Sequence, residues 1–183
     1  RFNPLSFLAT AYVEILRSTP VLVQIFIIYY GVFGMVKLPG FEMFGFIKFS
    51  RFFPGVVALG MNSGAYLCEI IRAGILSVDP GQMEAARSLG LPYSRAMIRV
   101  VLPQAIRTMI PSIINQFIIT LKDTSILSVI GFPELVNTAK NVVANSFMSF
   151  QTWGIVAVMY LIVITILSKV AKIVERRLNR GRK

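Results

Sequence analysis

The apolar residues of this chain are gathered into four long segments separated by short polar stretches. The segments cover roughly residues 5–33, 52–78, 104–121 and 153–170. An apolar run of about 20 residues can cross a bilayer as a helix, which also satisfies its own backbone hydrogen bonds there. The pattern therefore predicts an all-α, polytopic helical membrane protein.

The first apolar segment is too long to be a single span, and the polar residues 17–20 divide it. We predict an interfacial helix or cytoplasmic extension before Arg17 and a crossing helix over residues 21–36. The second segment is long enough to cross with tilt. Residues 134–145 are mildly amphipathic and predict an interfacial or partly re-entrant helix, which needs protein or water around its backbone.

The polar stretch between the second and third segments, residues 79–103, has the features of a short capped helix. Asp79 suits an N-cap and Pro80 the first helical turn, while Gln82 lies three residues after the cap, as in a capping box. Gly90 suits the left-handed residue that ends many helices. We therefore predict a surface helix of about two to three turns in this loop.

Polar residues also recur inside the apolar segments. Those of interest are Gln24, Asn62, Ser63, Tyr66, Glu69, Gln116, Thr120 and Asp123. Two sets are spaced by four and three residues, so each set shares one helix face: Asn62, Tyr66 and Glu69 in the second segment, and Gln116, Thr120 and Asp123 in the third. A charge at bilayer depth costs about 2.5–3.5 kcal/mol on insertion scales, so Glu69 should face a partner or water. Three polar stripes on three helices indicate a shared polar cavity.

Several of these residues also have a purely structural interpretation. Glu69 can pair with Arg72 one helical turn later. The amides of Gln24 and Gln116 can form hydrogen bonds between helices, which is common in membrane bundles. Gly60, Gly64 and Gly74 similarly favour close helix packing within one subunit.

The composition narrows the class of protein. Hydrophobic residues make up 55% of the 183 residues and charged residues 15%, which argues against a soluble domain. The net charge of +11 does not predict a nucleic acid partner, because much of the basic excess flanks apolar helices. With the 79–103 loop placed inside, 14 of the 19 lysines and arginines lie on the inner side and 5 outside. This asymmetry predicts a cytoplasmic C-terminus.

Candidate chemistry for an enzyme is sparse. The sequence has no histidine and one cysteine, Cys68, which removes the commonest general base and any disulfide or zinc framework. We expect no catalytic residues, no metal site and no cofactor in this chain. Because the chain begins at Arg1 rather than methionine, we expect a piece of a longer protein.

The 79–103 loop resembles the cytoplasmic signature of ABC importer permeases. That signature reads EAA, three residues, G, nine residues, then I-x-L-P. It is matched here by Glu84, Ala85, Ala86, Gly90, Leu102 and Pro103, with Val100 in place of isoleucine. In that family the loop forms a coupling helix that docks into a groove on the ATP-hydrolysing subunit. The alternative is an ordinary connector helix, since EAA alone is common.

The resemblance continues outside the loop and is specific to polar amino-acid permeases, the histidine, arginine and glutamine permease family. Residues 16–24, LRSTPVLVQ, resemble the family element LRGTPLLVQ, and residues 62–66 and 121–125 match further elements. The resemblance implies one type I ABC importer (MetI-like) transmembrane domain over residues 1–183. It also implies five core helices per subunit, the first of which we expect to be absent from this chain.

The resemblance further implies partners in a bacterial cell membrane. These are an ABC ATPase subunit, a second permease subunit (a homodimer or a paralogue) and an extracellular or periplasmic amino-acid-binding protein. No phosphate loop of the form GxxxxGK[ST] occurs in the sequence, so ATP and magnesium are expected on the partner ATPase.

The leading hypothesis is a transmembrane permease subunit of an ATP-driven importer that carries polar amino acids, with basic ones favoured, by alternating access. A zwitterion needs an anionic or carbonyl partner for its ammonium and hydrogen-bond donors for its carboxylate. Glu69 and Asp123 are candidates for the ammonium. Candidates for the carboxylate are Gln24, Asn62, Ser63, Gln116 and Thr120. The alternative is an ion-coupled secondary transporter or channel that uses the same cavity.

Overall fold

The computed structural model describes residues 3–36, 38–43 and 45–179, and these are almost entirely helical. The α-helices are α1 (Pro4–Ser18), α2 (Val21–Phe26), α3 (Phe49–Leu76), α4 (Pro80–Ser88), α5 (Tyr93–Ala96), α6 (Leu102–Asp123), α7 (Leu135–Ser146) and α8 (Ser149–Asn179). A π-helical turn at Ile27–Val32 continues α2, a second at Met97–Val101 joins α5 to α6, and a 3-10 helix at Thr124–Ile130 continues α6. Two short antiparallel strands, β1 (Glu42–Met43) and β2 (Ile47–Lys48), precede α3.

The helix α3 is the centre of the bundle. It packs against α1, α2 and α6, and α6 in turn packs against α8. Gly74 permits a close approach of α3 to α6, because a Cβ there would lie 2.9 Å from the Cβ of Met109. A buried apolar cluster between α2, α3 and the 3-10 helix includes Ile25, Ala58 and Leu127. The close packing expected of Gly74 is therefore found inside one subunit.

Among the described residues, two helical stretches are long and apolar enough to cross a membrane, Tyr93–Ile130 and Ser149–Arg176. The helices Pro4–Ser18 and Val21–Val32 meet the same test together as one broken span. Length and composition thus support two or three spans where the sequence predicted four. The difference is α3, a 28-residue helix whose polar and charged residues lower its apolar content.

The third predicted span, residues 104–121, was too short. The helical stretch runs from Tyr93 to Ile130, over 38 residues. Pro103 does not separate loop from helix, since it lies in the first turn of α6 directly after the π-helical turn. Proline lacks an N–H and its ring crowds the preceding turn, and a wider π turn accommodates both effects.

The capped helix predicted in the 79–103 loop is confirmed as α4, which is nine residues long. Asp79 Oδ1 accepts a hydrogen bond from the backbone N–H of Gly81 at 2.8 Å, and Gly90 has φ +84°. The prediction of a capping box between Asp79 and Gln82, however, is wrong. The Gln82 side chain accepts a hydrogen bond from Gln104 at 3.3 Å, which ties α4 to the start of α6.

The amphipathic helix predicted over residues 134–145 is also present, as α7. Glu134 is its N-cap, and its carboxylate accepts hydrogen bonds from the backbone N–H groups of Val136 and Asn137. Gly131, at φ +69°, ends the preceding 3-10 helix. Its carbonyl accepts a hydrogen bond from Arg51 at 2.7 Å, which joins this turn to the start of α3.

Candidate functional site

A polar cavity of about 470 Å³ lies where the break between α1 and α2 faces α3 and α6. Its lining consists of Arg17, Ser18, Thr19, Pro20, Val21, Asn62, Tyr66, Gln116, Ile119 and Asp123. Four of the eight residues singled out from the sequence are in this lining, namely Asn62, Tyr66, Gln116 and Asp123. The stripes of α3 and α6 therefore meet around one space, together with Ser18 and Thr19 from the first segment, whereas Gln24 is not in the lining.

The break between α1 and α2 forms one side of the polar cavity. Thr19 and Pro20 have extended backbones, with ψ angles of 142° and 136°, and the two helices diverge by 110°. Proline disfavours a helical conformation in the residue before it and cannot donate a backbone hydrogen bond. The last carbonyl groups of α1 consequently lack partners within their own helix and need donors from elsewhere.

Gln24 and Asn62 supply those donors. Gln24 Nε2 donates to the carbonyl of Leu16 at 2.7 Å, and to the carbonyl and hydroxyl of Thr19 at 3.0 and 2.8 Å. Gln24 Oε1 accepts from Asn62 Nδ2 at 3.0 Å. Both side chains are buried. Gln24 lies behind the cavity wall and is engaged in holding the helix break, whereas Asn62 both holds the break and lines the cavity.

Ser63 and Thr120 join α3 to α6 beside the polar cavity. Their hydroxyl oxygens are 2.9 Å apart, and Thr120 also donates to the backbone carbonyl of Gln116 at 3.0 Å. Neither hydroxyl belongs to the lining. The pair therefore fixes the position of Gln116, which does line the cavity.

Glu69 lies between two arginines. Its Oε2 is 3.5 Å from Arg17 Nη1 and 3.7 Å from Arg72 Nη1, so the predicted pairing with Arg72 is present. The guanidinium carbon of Arg17 also lies over the ring of Tyr66, 5.5 Å from its centroid, at cation–π distance. Glu69 itself is not in the lining of the polar cavity.

Arg17 is the charged lining residue that sequence reasoning missed. In the sequence it belongs to the polar residues 17–20 that divide the first segment and to the basic residues of the inner side. The available signal was a charged side chain inside a long apolar segment, which should face a partner or a water-filled cavity. In the lining it is the single cationic residue.

Asp123 is the single acidic residue of the lining and lies at the end of α6. Within the described part of the chain, its carboxylate has no ion pair within 4.0 Å; both ion pairs there involve Glu69. The polar cavity thus holds one cation and one carboxylate together with the amides of Asn62 and Gln116. Such a set can bind a small molecule that carries both charges.

The residues of the predicted coupling signature lie together on and beneath α4. Glu84 and Ala85 are exposed, whereas Ala86 is buried against the helical turns that follow. Leu89, just beyond α4, has 84% of its surface exposed. The next residue, Gly90, has a left-handed backbone conformation. Leu102 and Pro103 start α6 below this surface. Apart from Ala86 and the half-buried Met83, α4 is therefore exposed, with Glu84, Ala85 and Arg87 accessible to a partner.

Membrane-length helices around a charged cavity, with a capped helix outside them, define the chain as a membrane transport subunit. The chain belongs to the family described as the binding-protein-dependent transport system inner membrane component, whose model matches residues 1–181. This membership confirms the expectation that the chain is a component of a transport system and not an enzyme. It also gives partners of two general kinds, an ATPase and a substrate-binding protein.

Individual relatives agree with this family. The chain is 37% identical over 178 residues to the arginine transport system permease protein ArtQ of Bacillus subtilis, covering 97% of this chain and 77% of the relative. It is 38% identical over 171 residues to the glutamine transport system permease protein GlnP of Escherichia coli K12, covering 93% and 74%. A solved structure, a crystal structure of an amino acid ABC transporter with histidines, matches with a TM-score of 0.85 at 43% identity, covering 95% and 77%. The predicted type I ABC importer (MetI-like) fold is confirmed.

Proposed function

We propose that this chain is the permease subunit of an ATP-driven importer that carries polar amino acids, basic ones among them, across the bacterial cell membrane by alternating access. The observation that carries the proposal is the polar cavity, whose lining combines one cation, one unpaired carboxylate and two amides. An α-amino acid carries the complementary pair of charges. Relatives named for arginine and glutamine transport support the same class of substrate.

The size and chemistry of the polar cavity suit one amino acid. Its volume of about 470 Å³ lies within the range of small-molecule sites, about 300–1,000 Å³. The Asp123 carboxylate is available to accept hydrogen bonds from the ammonium group. The Asn62 and Gln116 amides and the Tyr66 hydroxyl supply further polar contacts, while Val21 and Ile119 give the wall an apolar part.

Selectivity among polar amino acids depends on how many carboxylates remain free. A basic amino acid carries a second cationic group, and Asp123 is the one acidic residue in the lining. The charge of Glu69 is compensated by Arg17 and Arg72. We therefore propose polar amino acids as the class, with arginine as the basic member to test first and glutamine as the neutral one.

Coupling to ATP is proposed to run through the 79–103 loop. In this account α4 docks on the ATPase subunit through Glu84, Ala85 and Leu89, with the loop and the C-terminus in the cytoplasm. ATP and magnesium belong to that partner. Residues 1–183 act as one transmembrane domain, which pairs with a second permease subunit and receives its amino acid from an extracellular or periplasmic binding protein.

The proposal is tested by purifying the chain with its candidate partners and reconstituting them in liposomes. We expect an ATPase to copurify, and uptake of L-arginine or L-glutamine to require ATP and the binding protein. Uptake that follows an imposed ion gradient without any ATPase would overturn the proposal and favour the ion-coupled alternative.

A further inference from the structure

We propose that Arg17 binds the α-carboxylate of the transported amino acid, and that Glu69 and Tyr66 position its guanidinium for this task. The inference rests on the proposed function and deepens it, because it assigns a residue to one end of the substrate. It also moves Glu69 from an ammonium ligand to a positioning residue.

The Arg17 guanidinium is oriented by Glu69 and Tyr66 but keeps N–H donors that are available to a ligand. Glu69 Oε2 lies 3.5 Å from Nη1, and the ring of Tyr66 lies 5.5 Å from the guanidinium carbon. Within the residues that the structure describes, the Arg17 side chain donates no hydrogen bond. A guanidinium has five N–H donors in a planar fork that fits a carboxylate with two parallel bonds. With 42% of its side chain exposed, Arg17 can offer that fork to the polar cavity.

The balance of charge supports the same assignment. Arg17, Glu69 and Arg72 form one ion-pair group, in which two cations share one carboxylate. The group keeps one surplus positive charge and therefore repels an ammonium and attracts a carboxylate. On the α6 side of the polar cavity, Asp123 supplies a negative charge that makes no ion pair within 4.0 Å in the described part of the chain, with Lys122 as its neighbouring cation. The two surplus charges match the two ends of a zwitterion, with the ammonium toward Asp123 and the carboxylate toward Arg17.

A structural role for Arg17 is the competing explanation, because its ion pair also links α1 to α3. The two roles differ in what they predict for ligands. A structural residue affects the binding of every ligand in the same proportion. A carboxylate-binding residue affects the ligands that have a free carboxylate and leaves the others unchanged.

The experiment compares an amino acid with its neutral α-carboxamide. The complex of permease and ATPase subunits is placed in lipid nanodiscs without the extracellular binding protein, whose own selectivity would otherwise dominate. Equilibrium binding of radiolabelled L-arginine and L-glutamine is measured in competition with L-argininamide and the α-amide of L-glutamine. We expect the wild-type complex to bind the amides at least about tenfold more weakly, the typical effect of losing hydrogen bonds to a charged group.

In Arg17→Gln we expect binding of the parent amino acids to fall by at least about tenfold while binding of the amides changes little, so that the preference disappears. Arg17→Gln combined with Glu69→Gln should give the same loss of preference, and it avoids a carboxylate left with one partner. Arg72→Gln is the matched control, since it removes the other arginine of Glu69 but not a lining residue. It should keep most of the preference, because the N–H donors of Arg17 remain although the surplus charge of the ion-pair group is lost.

Three results would overturn the inference. One is a preference that persists in both variants lacking Arg17, and another is an equal loss of binding for parents and amides. The third is an Arg72→Gln variant that loses the preference as Arg17→Gln does. If the wild-type complex binds neither amino acid, the polar cavity is not the substrate site, and the proposed function fails first.

Discussion

The replacement of Gln24 by leucine tests how the chain maintains the break between α1 and α2. The two side chains have similar volumes, so the change removes polar atoms without opening a cavity. The amide of Gln24 donates to two carbonyls and one hydroxyl and accepts from Asn62. All of these groups lie beside the polar cavity, and the glutamine is 5% exposed.

The magnitude follows from the groups that lose a partner. A buried polar group left without a hydrogen bond costs about 1–3 kcal/mol. The carbonyl of Thr19 and one N–H of Asn62 lose their partners outright. The carbonyl of Leu16 keeps a longer bond from Asn62 at 3.4 Å, and the Thr19 hydroxyl still donates to Ile15 at 2.8 Å. Because Thr19 is exposed and its carbonyl can bind water, the main cost is the buried N–H of Asn62, and we expect Gln24→Leu to lower the free energy of unfolding by about 1–3 kcal/mol.

The assay is equilibrium unfolding of the protein in mild detergent, with Gln104→Leu as the matched control. Gln104 is an exposed glutamine whose amide bonds lie at the surface of α6, so its loss should change the free energy of unfolding by less than about 0.5 kcal/mol. Equal effects of the two substitutions would refute the claim that the Gln24 amide holds the helix break. A double-mutant cycle between Gln24 and Asn62 should give a coupling energy of about 1 kcal/mol.

Three further substitutions test other parts of the account. Gly90→Val should reduce association with the ATPase, because a left-handed residue with a Cβ costs about 1–2 kcal/mol. Gly90→Asn is the control, since asparagine tolerates the left-handed conformation. Equal association of the two variants with the ATPase would contradict the prediction. Gly74→Ala should destabilise the chain by about 1–3 kcal/mol, because its Cβ would meet Met109 at 2.9 Å. Gly60→Ala has open space and serves as its control in the same unfolding assay. Glu69→Gln should weaken amino-acid binding several-fold and leave the choice of amino acid unchanged, and altered selectivity would return it to the substrate site.

Local signals in the sequence were sufficient for the elements that depend on few neighbours. The helix α4 begins after Asp79 and ends before Gly90, as predicted, because an N-cap and a left-handed glycine act within their own turn. Gln82 departed from the pattern because Gln104, distant in sequence, competes for its side chain. Pro103 began a helix instead of ending a loop, since a π turn, which the sequence does not announce, accommodates it.

The polar cavity was predictable as a meeting of stripes but not in its details. The spacing of Asn62, Tyr66 and Glu69 predicts one shared helix face, and the cavity uses the first two of them. Spacing alone does not distinguish a residue whose side chain lines a cavity from one whose side chain supports the backbone of the cavity wall. Gln24 has the second task because its amide reaches carbonyls left open by a bend of 110°, and that angle is a tertiary property. Arg17 enters the lining through the same bend.

The most direct test of the central claim is the rate of ATP hydrolysis by the assembled complex in liposomes, measured with its binding protein and each polar amino acid in turn. The account predicts that L-arginine or L-glutamine stimulates hydrolysis in the wild type. Stimulation should fall sharply in Asp123→Asn, which removes the carboxylate of the polar cavity, and in Gly90→Val, which disturbs the end of α4. A hydrolysis rate that no amino acid changes, or a stimulation that both variants retain in full, would contradict it.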